Sequence, residues 1–185
     1  MTVITDAEIS SVSLASSVVF PAGGTGNPIS VAVILDQKGA TTDGGSSSAG
    51  DGLKARELNT KYDPDSIATL SSSAGNSTDD QINLGAGTYL FNWSCPAMFS
   101  DRHSTVLRDV TGNANLISGS SEYLLSSGNL MTNQSMGAFV HAPTGNNIYE
   151  IRHKVAVSKA TLGLGIQSQN GVSSIYTIVV IYKLK

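Results

Sequence analysis

Hydrophobic and polar positions alternate most strictly over Gly87-Thr-Tyr-Leu-Phe-Asn-Trp-Ser94, where Tyr89, Phe91 and Trp93 share one face and Leu90, Asn92 and Ser94 the other. A period of two with aromatics on one side predicts a strand packed on a core. The last run, Ser174-Ile-Tyr-Thr-Ile-Val-Val-Ile-Tyr182, is apolar on both faces: Ile175, Val179 and Ile181 on one, Tyr176, Ile178, Val180 and Tyr182 on the other. Such a strand is expected to be covered once by its own subunit and again by a partner. Tyr89, Phe91, Trp93, Tyr176, Ile178, Val180 and Tyr182 are therefore the expected core and subunit-interface residues.

Ile29–Leu35 predicts a further strand and 67–70 a short one. Others recur at 81–84, 87–95, 104–110, 114–119, 134–141, 147–157, 161–167 and 174–183, with turns such as Thr111-Gly112-Asn113 between them. Within 147–157, Tyr149, Ile151, His153, Val155 and Val157 share a face opposite Glu150, Arg152 and Lys154. Residues 39–52 and 71–80 read as small-residue loops, and Asp63-Pro64-Asp65 as a turn with Pro in its preferred place. About ten short strands without helices between them predict an all-β sandwich rather than parallel βαβ units.

Residues 1–28 follow no such alternation and are expected to form an N-terminal arm, closed by the Gly/Pro cluster Pro21–Pro28; residues 29–185 form the second unit. The arm carries Ile4, Ile9, Val12, Leu14, Val18, Val19 and Phe20 against only two charged side chains, Asp6 and Glu8. That pattern predicts docking onto a neighbouring subunit or another protein.

Composition narrows the function classes. Only 14% of residues are charged, 40% are hydrophobic, glycine numbers 19 and the net charge is −3. This composition suits short strands joined by tight turns, and it leaves no basic footprint for nucleic acid. No apolar run approaches the roughly 20 residues of a membrane span, so no membrane insertion is expected. The N-terminus does not read as a secretory signal. Cys95 is the only cysteine, which precludes an intrachain disulfide and reads as a small buried hydrophobe.

The polar candidates are few. His103, His141 and His153 lack a second His or Cys at metal-ligand spacing. His153 falls on an apolar strand face and reads as a hydrogen-bonded core residue. The loop aspartates Asp43, Asp51, Asp63, Asp65, Asp79 and Asp80 match no EF-hand spacing, and no metal or other cofactor is expected. Asp101-Arg102-His103 with Glu122 is the most pointed cluster; Arg102 is expected to grip Asp101 or Glu122 and organise a loop. No nucleophile elbow and no separated carboxylate pair occurs, so no catalytic residue and no enzyme activity is expected.

With the strands placed, a resemblance becomes usable. Asp43-Gly44-Gly45, Arg56-Glu57-Leu58-Asn59-Thr60, Asp63-Pro64-Asp65, Gly85–Ser94, Pro96-Ala97, Asp101-Arg102-His103, Gly119-Ser-Ser-Glu-Tyr123, Ser135-Met136-Gly137-Ala138, Ile175-Tyr176-Thr177 and Ile181-Tyr182-Lys183 carry it. In order and spacing they resemble the jelly-roll domain of tumour necrosis factors and of complement and collagen globular heads, in the variant found in bacteriophage virion and tail-fibre proteins. The match departs at Val106-Leu107-Arg108-Asp109, where the phage variant often has Arg-Leu-Tyr-Asn. The resemblance implies a jelly-roll β-sandwich, a homotrimer whose central strands meet on a three-fold axis, and surface display rather than catalysis. The expected protein is a virion structural component, made in the bacterial host cytoplasm and displayed on the virion surface. Capsid decoration is the first role, with the arm gripping other virion proteins. The alternatives are the receptor-binding head of a short tail fibre, engaging a host surface receptor, and a cellular lectin-like or signalling module.

Overall fold

In the computed structural model, residues 29–50, 52–125 and 132–184 are described, and the alternating runs form eleven strands and no helix among them. They are β1 (Ser30–Lys38), β2 (Lys54–Ala55), β3 (Thr60–Tyr62), β4 (Ala68–Ser71), β5 (Gln81–Leu84), β6 (Tyr89–Met98), β7 (Asp101–Asp109), β8 (Ala114–Leu124), β9 (Thr132–His141), β10 (Asn147–Val155) and β11 (Ser174–Lys183). One sheet runs β3-β1-β11-β6-β9. The other runs β4-β5-β10-β7-β8, with β2 beside β10. All the strand pairs are antiparallel. The all-β sandwich expected from the alternation is the architecture observed.

The core lies between the sheets and is built by the faces that alternation selects. Ala32 and Ile34 of β1, Tyr89, Phe91, Trp93 and Cys95 of β6, and Val179 and Ile181 of β11 meet Ile82, Leu107, Tyr149 and Ile151 of the facing sheet. Phe91 and Tyr149 pack across the gap with ring centroids 5.1 Å apart and planes tilted by 54°. Asp63 closes the turn before β4: its carboxylate accepts the backbone N–H groups of Ile67 and Ala68 at 2.9 Å each.

Three expectations are corrected. First, 161–167 is a run of turns and irregular chain, not a strand. Its backbone is spent on the 44–47 loop: Gly44 N–H donates to Gly165 C=O at 2.9 Å, and Leu164 N–H donates to Gly45 C=O at 3.0 Å. Second, a β-bulge opposite Asp36/Gln37 interrupts the alternation of β11. Tyr176 therefore turns inward, 3% exposed, and its hydroxyl donates to Thr42 C=O at 2.7 Å. Tyr176 thus does not share a face with Ile178, Val180 and Tyr182, and Ile175 is exposed rather than core. Third, β7 begins at Asp101, so Asp101, Arg102 and His103 lie in a paired strand, not in a loop. The expected arm, residues 1–28, lies outside the described residues.

Candidate functional site: an apolar sheet face and a buried polar seam

The outer face of the five-stranded sheet is apolar across its width. Register places Tyr62, Val33, Val180, Asn92 and Ala138 side by side from β3 to β9. A second row runs Val31, Tyr182, Leu90, Val140. Below them Ile178, Ser94 and Met136 form a third row. Directly opposed residues share a face, so the rows form one surface. Tyr62, Met136 and Val140 are each more than half exposed, at 59%, 58% and 52%. A contiguous apolar surface of this kind marks an interaction site. Of the interface residues expected from sequence, Ile178, Val180 and Tyr182 lie on this face, whereas Tyr89, Phe91, Trp93 and Tyr176 are buried inside the sandwich.

Beneath the face, a polar seam ties the two sheets. The Trp93 indole N–H donates to Thr105 Oγ1 at 2.8 Å, and Thr105 Oγ1 lies 2.8 Å from Ser135 Oγ. Ser135 in turn donates to Ser120 C=O at 2.7 Å, so the Thr105 hydroxyl is the donor to Ser135. The chain passes from β6 to β7, β9 and β8, crossing the sandwich three times. Gly137 lies flat under the indole, where a Cβ would come within 2.0 Å of a ring carbon.

The Asp101, Arg102, His103 and Glu122 cluster divides between two faces. His103 pairs across the strands with Glu122, and Arg102 with Tyr123. Period two therefore directs Arg102 away from both Asp101 and Glu122, and the expected ion pair is not formed. Glu122 instead accepts from Asn133 Nδ2 at 2.7 Å. Arg102, with Ser104, Ser121, Tyr123 and Lys154, borders a shallow outer groove of about 400 Å³. His103 turns inward, and its Nδ1 lies 2.9 Å from Nε2 of His153, a buried imidazole pair bridging β7 and β10. Burial depresses both rings, with Arg56 acting in the same direction; His153 is pushed down to about 2. His153 is the hydrogen-bonded core residue that its position on β10 suggests.

Sequence reasoning missed Arg56 as an interior residue. It is 1% exposed. No sequence signal marked it, since Lys54 and Glu57 flank it; the fold encloses it in an extended segment where Arg56 N–H donates to Ile151 C=O at 2.8 Å. Cys95 is fully buried and its thiol is pushed up to about 11 by that burial, leaving it unreactive. Among the described residues no group of three His, Cys, Asp or Glu could hold a metal ion.

This sandwich has a jelly-roll fold similar to that of tumour necrosis factors. The Eiger TNF from S. frugiperda superposes with a TM-score of 0.51 at 15% identity, over 85% of this chain and 94% of that one. Murine APRIL at pH 8.0 gives a TM-score of 0.50 at 13% identity, over 84% and 99% of the two chains. The globular domain of zebrafish complement 1qA gives 0.47 at 10% identity, over 83% and 94%. At these identities the likeness to the first two defines the fold alone. No family model matches the chain, and no curated protein matches it in sequence.

Proposed function

We propose that this chain is a non-enzymatic, homotrimeric structural protein of a bacteriophage particle, acting in capsid decoration. The observation that carries self-association is the apolar outer face of the β3-β1-β11-β6-β9 sheet, which no element of its own subunit covers among the described residues. Three copies meeting through that face would remove it from water at about 25 cal/mol per Å² of apolar surface. The virion role rests on the residues that resemble the phage variant, from Asp43-Gly44-Gly45 to Ile181-Tyr182-Lys183. Those motifs also favour a second reading, the receptor-binding head of a tail fibre.

Light scattering of the wild-type protein at micromolar concentration should report a trimer. Val180→Lys, which sets a charge at the centre of the apolar rows, should yield a folded monomer. A wild-type monomer, or a trimer unaffected by V180K, would refute the interface.

Electron microscopy of particles should find many copies on the shell, whereas a few copies at the tail tip would favour the fibre reading. We further propose that residues 1–28 attach the trimer to its neighbours. A chain lacking residues 1–26 should remain trimeric and fail to incorporate. Normal incorporation of that truncation would rule out attachment through the arm.

A further inference from the structure

Behind the 44–48 loop lies a cavity of about 230 Å³, bordered by Asp36, Ser47, Arg56 and His153 and separate from the outer sheet face. All four residues are buried, Asp36 and Arg56 at 1% exposure. Each keeps a polar atom without a hydrogen bond: Asp36 Oδ1, Ser47 Oγ, Arg56 Nη1 and His153 Nδ1. Lys38 Nζ sets a charge 3.3 Å from Asp36 Oδ1 but no aligned hydrogen bond. The other Arg56 nitrogens are used, Nε donating to Thr177 Oγ1 at 2.9 Å and Nη2 to Leu164 C=O at 3.4 Å. Buried polar atoms are almost always satisfied, so four around one cavity point to an occupant.

We propose that this cavity binds a neutral sugar ring. Its demand is mixed. Asp36 Oδ1 needs a donor and Arg56 Nη1 an acceptor, while Ser47 Oγ and His153 Nδ1 take either role according to hydroxyl rotation and tautomer. An anion would serve Arg56 but add negative charge beside Asp36; a cation would serve Asp36 but meet Arg56. The local charges call for neither. Asp36 and Glu57 offset Lys38 and Arg56, and Lys54 at the border is engaged in an interaction of its own. A hydroxyl donates and accepts at once, so neighbouring hydroxyls on one ring satisfy the carboxylate and the guanidinium together. Water can do the same, but Ala55, Val155 and Leu164 also line the cavity and present apolar surface that the C–H groups of a ring cover and water does not. At about 230 Å³ the space falls below the roughly 300–1,000 Å³ of pockets for drug-sized ligands, which limits the occupant to a single ring.

The wall is built in advance. Ser47 exchanges two backbone hydrogen bonds with Lys159, at 2.8 and 3.0 Å, and Gly45 N–H donates to Thr161 C=O at 3.0 Å. At Gly44 a Cβ would come within 2.5 Å of Leu164 O, so only glycine lets the loop approach this closely. Little ordering is left for the moment of binding, which lowers its cost.

The test is calorimetric titration of the full chain with glucose, galactose, mannose and N-acetylglucosamine, with the methyl glycoside of each, and with acetate, glycine and methylammonium chloride as ionic controls. At least one neutral sugar should bind, with all three controls at least tenfold weaker. Equal binding of its methyl glycoside identifies the end residue of a glycan as the source; binding of the free sugar alone identifies a free monosaccharide. Asp36→Asn and Ser47→Ala, each of which withdraws one partner without adding volume, should both weaken binding about tenfold. Should Asp36→Asn fail to fold, Ser47→Ala decides alone. No binding by any of the sugars, equal binding of a control, or unchanged affinity in S47A would overturn the proposal. A crystal structure soaked in the sugar in which only water contacts Asp36 Oδ1 and Arg56 Nη1 would do the same. None of these outcomes depends on oligomeric state or on a place in a virion.

Discussion

Replacing Trp93 with alanine is expected to cost about 3–5 kcal/mol, the range for truncating a large buried aromatic. The indole is 3% exposed and fills the space above Gly137, so nothing larger than hydrogen on residue 137 could relax into the void from below. The same change removes the donor to Thr105 Oγ1 and opens the first link of the seam through Ser135 to Ser120. Trp93→Phe separates the two losses. It keeps most of the ring volume and gives up one hydrogen bond, for which about 0.5–1.5 kcal/mol is expected. Both variants should be compared by urea unfolding at one fixed protein concentration, because an oligomer's stability depends on concentration. A W93A protein with wild-type stability but impaired binding would show that the indole is a ligand platform instead.

How far this structure could be read from sequence depended on whether a residue's role follows from period two. On β6 and β10 it does: Tyr89, Phe91, Trp93, Tyr149 and Ile151 are buried where alternation placed them. The rule failed at the β11 bulge, because one extra residue between Thr177 and Ile175 turned Tyr176 inward. Nothing in Ser174–Tyr182 marks that bulge, since every residue from Ile175 to Tyr182 tolerates a strand on either face. It also failed at 161–167, whose Thr-Leu-Gly-Leu-Gly-Ile-Gln alternates well. There two glycines and the left-handed backbone of Thr161, with φ of 57°, commit the chain to the 44–47 loop instead. Arg56 was illegible for a different reason. A charged residue between Lys54 and Glu57 reads as solvated surface, and only the tertiary fold shows it enclosed. The Arg102 reading failed because contact was inferred from shared motifs, whereas the register pairs Arg102 with Tyr123 and puts Asp101 and Glu122 on the opposite face.

The His103–His153 pair predicts an acid-labile fold. One ring donates the 2.9 Å hydrogen bond and the other accepts it, so the accepting ring must be neutral and the pair cannot hold a proton on every ring nitrogen. The groups that could help a charged form are poorly placed. Glu122 faces His103 from β8 and favours its protonation, but Arg56 opposes protonation of both rings and burial outweighs the carboxylate. The folded protein therefore protonates His153 only near pH 2, whereas an unfolded histidine does so near pH 6.5. Because the folded value is the lower one, the unfolded chain takes up protons first as pH falls. The stability is fully present above about pH 6.5 and is lost progressively below it, at about 1.4 kcal/mol per pH unit for His153 alone. His103 shifts in the same direction and steepens the loss. By pH 5 the expected deficit is roughly 2 kcal/mol, above the range in which an unperturbed aspartate such as an unfolded Asp63 would titrate. Unfolding midpoints in urea measured from pH 8 to pH 5 should thus be flat and then decline, at constant ionic strength and protein concentration. His153→Gln removes the titrating ring, so its curve should be flatter below pH 6.5 even if its stability at pH 8 is lower. An H153Q curve parallel to the wild type would exclude the imidazole pair as the source of the decline.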